Sequence, residues 1–243
     1  MTGTSTPLLR LQQVHRSFGG LVAVDDLSMT IPPSQICGLI GPNGAGKTTV
    51  FNVITGVYRP QRGSIFLQDE EITSAKIFRI TRLGIARTFQ MIRLFPNLST
   101  LEHVLVGQTH IAGNRSAALA EAERLLSLLG IWEQRNLKAV TLPYGAQRKV
   151  EIARALATRP KLLLLDEPVA GMNERETDEL LKMVSKIRDL GVTILVIDHD
   201  MKFVMNICDY LFVLNFGRKI AEGTPGEIRS TDCVLEAYLG REG

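Results

Sequence analysis

Several things that would point to a specialised fold are scarce in this sequence. Its three cysteines, Cys37, Cys208 and Cys233, are scattered and form no C-x-x-C pair, which argues against a disulfide framework or a zinc site and fits thiols kept reduced in a cytosol. Charge of one sign is also scarce: 28 Lys and Arg against 25 Asp and Glu leave a formal net charge of +3, too little for a nucleic-acid footprint. No nucleic-acid partner is expected. Long apolar runs are missing too. Runs such as Leu162 to Leu165 and Val192 to Ile197 fall far short of the roughly 20 residues that span a bilayer, so any membrane role is expected to be peripheral. Met1 to Arg10 has no basic stretch leading into an apolar one, so no secretory leader is expected.

What remains is an ordinary globular composition, with 45% hydrophobic and 22% charged residues in a chain of 243. That length suits one large domain or two small lobes. Leu9 to Val14 and Leu21 to Ile31 alternate as strands with one solvated face, and Ser64 to Gln68 reads as a third, together an antiparallel lobe. Ile36 to Ile40, Leu162 to Leu165 and Thr193 to Ile197 have almost no polar face, the pattern of strands buried on both sides of a parallel sheet. Ser116 to Leu129 carries apolar residues at helical spacing, with Asn114 or Ser116 to cap it and Gly130 to end it. Leu211 to Leu214, Asn215-Phe216-Gly217 and Lys219 to Ala221 read as a hairpin, and Cys233 to Leu239 as a short terminal helix.

The sharpest motif is Gly41-Pro42-Asn43-Gly44-Ala45-Gly46-Lys47-Thr48, which fits G-x-x-x-x-G-K-[ST] between an apolar strand and a helical stretch, Thr49 to Ile54. Glycines allow backbone N–H groups to turn inward around phosphate oxygens, and the following helix presents its positive end to the same anion. Lys47 is placed to reach the β- and γ-phosphates and Thr48 to ligate Mg²⁺. A phosphate-binding loop alone serves kinases, GTPases, motors and transporters alike. Leu162-Leu163-Leu164-Leu165-Asp166-Glu167 ends a second buried strand on two carboxylates, where a parallel sheet binds its ligands. Asp166 suits the metal, through water, and Glu167 suits a general base for the water that attacks the γ-phosphate.

With these residues in hand, the sequence resembles the ATP-binding subunits of ABC transporters from about Leu9 to Leu239. In Arg87-Thr88-Phe89-Gln90, Gln90 looks like the family's Q-loop glutamine, and in Ile197-Asp198-His199-Asp200, His199 looks like its switch histidine. The resemblance implies that Gln90 senses Mg²⁺ and the attacking water, that His199 contacts the γ-phosphate, and that Phe18 stacks on adenine. His15, His103, His110 and Trp132 read as structural or surface residues. Leu142-Pro143-Tyr144-Gly145-Ala146 stands where the family has its LSGGQ signature, with Pro143 in place of the serine and Ala146 in place of the glutamine. Ala170-Gly171-Met172-Asn173 has Asn where many relatives have Asp. Tyr144, that same stretch, Arg93 to Glu102 and the ending Val234 to Gly240 look like the branched-chain amino-acid importers.

The resemblance implies an α/β fold, a P-loop NTPase of the ABC type: an antiparallel β lobe, a RecA-like parallel-sheet core and a helical subdomain. It implies one ATPase domain over 1–243, with core and β lobe in 7–90 and 156–243 and the helical subdomain with the signature in 91–155. It further implies ATP and Mg²⁺ as ligands, a second ATPase subunit as homo- or heterodimer partner, two transmembrane permease subunits, indirectly a solute-binding protein, and a peripheral place on the cytoplasmic face of the inner membrane. Each ATP would be bound between one chain's Gly41 to Thr49 loop and the other chain's Pro143, Tyr144 and Gly145. Met91 to Pro96, with Ile92, Leu94 and Phe95 as exposed apolar anchors, would meet the membrane subunits or pack between the lobes. The stretch from Gln90 to Leu142 is too short for the coiled coil of chromosome-maintenance ATPases. Urea, an amide, an aromatic acid or an exported lipid remain open as solutes, and a non-transport ATP-dependent switch remains open as a function.

Overall fold

The computed structural model describes residues 6–109 and 113–239; His110 lies outside them. The chain opens with β1 (Leu9–Phe18), β2 (Leu21–Ile31), β3 (Ile36–Ile40), α1 (Lys47–Ile54), β4 (Arg62–Leu67), β5 (Glu70–Glu71), α2 (Ile77–Leu83) and β6 (Ile85–Arg87). A helical stretch follows: α3 (Thr100–Gly107), α4 (Arg115–Leu128) and α5 (Tyr144–Leu156), with 3₁₀ turns at Trp132–Gln134 and Ala139–Thr141. The chain then returns through β7 (Leu162–Asp166), α6 (Glu174–Asp189), β8 (Thr193–Ile197), α7 (Met201–Ile207), β9 (Tyr210–Asn215), β10 (Arg218–Gly223), α8 (Pro225–Arg229) and α9 (Asp232–Leu239).

Two sheets result. The first is antiparallel, in the order β2-β1-β4-β5. The second runs β10-β9-β3-β8-β7-β6, parallel from β9 to β6 with β10 antiparallel at one edge. Every residue of β3, β7 and β8 is buried, because helices cover the faces of a parallel sheet and leave its strands no wet side. The α/β architecture with an antiparallel lobe and a helical part is therefore the one expected.

Element boundaries shift by one to four residues. The first strand runs on to Phe18 rather than Val14, because breaks in register with β2, one of them beside Gln13 at φ 49°, interrupt the alternation and disguise its continuation. The late hairpin also extends at both ends, turning on Phe216 and Gly217, both at positive φ. In α4 the cap is Asn114, whose side chain accepts the Ala117 N–H at 2.7 Å. α3 is closed by a reciprocal capping box between Ser99 and Glu102, a signal present in the sequence as Ser-x-x-Glu. α3, α4 and α5 pack on one another around Val104, Ala122, Leu125, Val150 and Ile152.

Candidate active site

The loop Gly41–Gly46 leaves the C-terminal end of β3, the central strand between β8 and β9. It is wedged in place. A Cβ on Gly41 would strike the Leu214 carbonyl, and one on Gly46 the Ala23 carbonyl, while both glycines and Gly44 sit at positive φ. The Gly217 N–H donates to Ala45 O at 3.0 Å, fixing the loop to the β9–β10 turn. α1 begins immediately after, and the N–H groups of Lys47, Thr48 and Thr49 have no acceptor among the described residues. These are the orphan donors of a helix start, with no acidic side chain in the first turn to satisfy them. An anion would satisfy them, and the loop has the shape to fit a nucleotide phosphate chain. Lys47 Nζ donates to the carbonyls of Gly41 at 2.7 Å and Pro42 at 2.9 Å. Burial pulls its pKa down, and the nearby carboxylates of Glu167 and Asp166 oppose that shift.

Across from the loop, β7 delivers Asp166 and Glu167. Asp166 is buried, and its Oδ2 accepts from Arg87 Nη2 at 2.7 Å. Glu167 sits at φ 44°, its N–H bound to Ile197 O at 2.7 Å. This left-handed turn, uncommon for a side chain with a Cβ, lifts the carboxylate out of the sheet. Two groups from distant segments converge on its Oε2: Gln90 Nε2 donates at 2.8 Å and His199 Nδ1 lies at 3.6 Å. His199 is 66% exposed and follows β8. Behind it, Asp198 is buried and accepts from the N–H groups of Asp200 and Val169; burial raises its pKa against those hydrogen bonds.

Mg²⁺ keeps several waters and takes one or two protein oxygens plus phosphates. Thr48, exposed at the first turn of α1, and Asp166 supply that kind of donor set, with Gln90 adjacent to Glu167. Among the described residues no group of three His, Cys, Asp or Glu side chains could hold a metal by itself, so the residues fit a shared ion and not an all-protein cage.

Phe18 is 37% exposed, edge-on to Tyr58 at 4.9 Å, with the Arg16 guanidinium 4.5 Å from its ring centre. Pro143 caps α5 without any side-chain bond. The N–H groups of Tyr144, Gly145 and Ala146 are without acceptors among the described residues. Gly145 is buried against Glu176, while Tyr144 is 41% exposed and lies over Gly171. Of the proposed apolar anchors, Phe95 is 49% exposed, but Ile92 and Leu94 are half-buried, and Leu94 packs against the core. The expectation of three exposed anchors is corrected to one, with Met91, at 80% exposed, beside it. The burial of His103 and the His15–Asp25 contact at 3.1 Å make both histidines structural.

Sequence reasoning missed Arg87, Arg148 and Glu151. Arg148 falls on the core-facing spacing of α5 with Gly145, Ile152 and Ala155; a charge at such a position was the available signal. Nothing in the short strand β6 marks Arg87.

The profile of the ABC transporter family matches residues 24–170. The chain belongs to the ABC transporter family. It is 42% identical over 97% of its length to the high-affinity branched-chain amino acid transport ATP-binding protein LivG of Escherichia coli, covering 99% of that protein. It is 44% identical, with the same coverages, to the corresponding protein BraF of Pseudomonas aeruginosa. A crystal structure of a nucleotide-free ATP-binding cassette from an ABC transporter superposes with a TM-score of 0.88 at 29% identity, covering 97% of this chain and 100% of that one. Residues 218–243 match a second family, the branched-chain amino acid ATP-binding cassette transporters, and place the chain in that branch.

Proposed function

We propose that this chain binds and hydrolyses ATP, with Mg²⁺, to drive an importer of branched-chain amino acids from the cytoplasmic face of the cell membrane. The observation that carries the reading is the convergence of Gln90 and His199 on one oxygen of Glu167, beside a phosphate-binding loop. The relatives' names supply the solute. No helix among the described residues is long and apolar enough to cross a membrane, which agrees with a subunit seated on membrane partners.

In this reading the Gly41 to Thr49 loop holds the phosphates, with the N–H groups of Lys47, Thr48 and Thr49 pointing to them, and Phe18 stacks on adenine. Lys47 leaves its two carbonyls for the β- and γ-phosphates, which return the charge partner that burial denies it. Thr48 with Asp166 and Gln90 would hold Mg²⁺, which would supply charge neutralisation at the β- and γ-phosphates. Gln90 and Glu167 orient a water. Glu167 takes its proton as the water oxygen bonds to the γ-phosphorus and the bond to the β-γ bridging oxygen breaks, while His199 contacts the γ-phosphate. Pro143, Tyr144 and Gly145 present a helix start, with the free N–H groups of Tyr144, Gly145 and Ala146, to the ATP of a second ATPase subunit.

In this reading core and β lobe take the described residues of 7–90 and 156–239, and the helical subdomain those of 91–109 and 113–155. Two transmembrane subunits would dock in the groove of about 610 Å³ lined by Val57, Ile77, Phe89, Leu94, Phe95 and Val106; a solute-binding protein would act through them. Purification of the tagged chain from its native membrane in mild detergent with MgATP tests this. Recovery of multi-span subunits, a second ATPase and a binding protein for branched-chain amino acids is expected. Recovery of soluble partners only would overturn the transporter reading.

A further inference from the structure

Arg148 is the largest fully buried side chain among the described residues. Its Nη1 donates to the Phe89 carbonyl at 2.7 Å and to Glu151 Oε2 at 2.8 Å, and its Nη2 to the Gln90 carbonyl at 2.9 Å. Glu151, 1% exposed, accepts the Phe89 N–H at 3.3 Å through its other oxygen. The Tyr144 hydroxyl lies 3.4 Å from Nη2, one turn back along α5. Nε has no partner.

As a way to hold a helix, this is wasteful. Both charges are desolvated, one donor is unsatisfied, and an apolar pair of similar volume generally packs as well or better. What a guanidinium does that neither an apolar side chain nor a lysine can do is grip two successive carbonyls with a rigid fork. Those carbonyls belong to Phe89 and Gln90, and the Gln90 amide reaches Glu167.

We propose that Arg148 is a positioning residue that ties the start of α5 to the backbone of Phe89 and Gln90, so that displacement of Pro143–Gly145 moves Gln90 and, through it, Glu167. The inference rests on the functional reading above, in which Pro143–Gly145 faces the second subunit's ATP. One chain then carries the state of its partner's nucleotide to its own water-orienting pair, through one side chain.

The test is the double variant Arg148→Met/Glu151→Leu in the full-length chain, which removes both charges together. The expected result is a melting temperature at or above that of the parent, affinity for a fluorescent ATP analogue within about twofold, and kcat lower by about tenfold with KM little changed. Amide exchange at Phe89 and Gln90 should quicken about tenfold while 162–166 stays protected. Arg148→Lys covers the case in which the double variant fails to fold. It keeps the charge against Glu151 but replaces the rigid planar fork with a single flexible ammonium, and should lose kcat and exchange protection in the same way. A folded variant with parental kcat and unchanged exchange at 89–90 overturns the proposal. A parent chain that hydrolyses no ATP, yet whose variants show the exchange change, would fail the ATPase reading and leave the link standing.

Discussion

The Arg87 guanidinium meets the Asp166 carboxylate at 2.7 Å, with only 8% and 6% of the two side chains exposed. Its other terminal nitrogen donates to Asn52 Oδ1 at 2.7 Å, so one side chain joins β7 to the helix that follows the phosphate loop. The rings of Phe51 and Phe89 stand 5.4 and 5.2 Å from it. A pair this buried is costly to form, and costlier still to break on one side, because the remaining charge has no water to turn to.

Arg87→Met should therefore destabilise the fold by about 3–5 kcal/mol, read as a lower midpoint in urea unfolding. Adding Asp166→Asn should recover much of that loss, since the stranded charge goes with it. A single-variant loss under about 1 kcal/mol would mean the pair behaves like an exposed salt bridge.

Glu167→Gln keeps the shape of the side chain and the left-handed turn but cannot take a proton. Affinity for an ATP analogue should be retained, and steady-state hydrolysis should fall by about a hundredfold or more. Undiminished turnover would remove Glu167 from the role of base.

Pro143 already has the dihedral angles of a helix cap, φ −55° and ψ 152°, but no side-chain acceptor to offer. Pro143→Ser should let the hydroxyl accept from the N–H of Gly145 or Ala146 and stabilise α5 by about 1 kcal/mol. With a γ-phosphate across a homodimer it adds a hydrogen bond to a charged group, and ATPase activity should rise by about tenfold. A more stable protein with unchanged turnover would confine the effect to capping.

How much of this was legible follows from what each feature depends on. The phosphate loop is local: Gly41, Gly44 and Gly46 are needed for backbone shape, and their spacing writes that shape into the sequence. β3, β7 and β8 were legible because burial on both faces leaves an unbroken apolar run. Gln90 and His199 became candidates only through family resemblance, since nothing local distinguishes a glutamine that will meet Glu167 from 77 positions away. Arg87, Arg148 and Glu151 are harder still. Each is a charged residue whose role is set by a partner distant in sequence or by a buried environment, so the local pattern reads as an interruption of the core. β6, at three residues, is too short to show any period.

His103 gives the fold a pH dependence of known sign. Its Nε2 accepts the Phe95 N–H at 2.9 Å and its Nδ1 lies 2.8 Å from the Ser99 carbonyl, so the ring is neutral with its proton on Nδ1. Burial, helped by the charge of Arg154 and opposed by the Ser99 carbonyl and Glu102, holds its pKa below the ordinary 6.5. The unfolded chain therefore binds this proton first as pH falls. Stability from His103 is complete above about pH 6.5 and is lost below it, by up to about 1.4 kcal/mol per pH unit, until the folded-state pKa is reached. Urea unfolding at pH 7.5 and 5.5 should show that loss in the parent and a smaller one in His103→Gln. Equal losses would assign it to other groups. Because protonation takes the lone pair that holds Phe95, acid should also release this residue from the groove proposed to receive the membrane subunits.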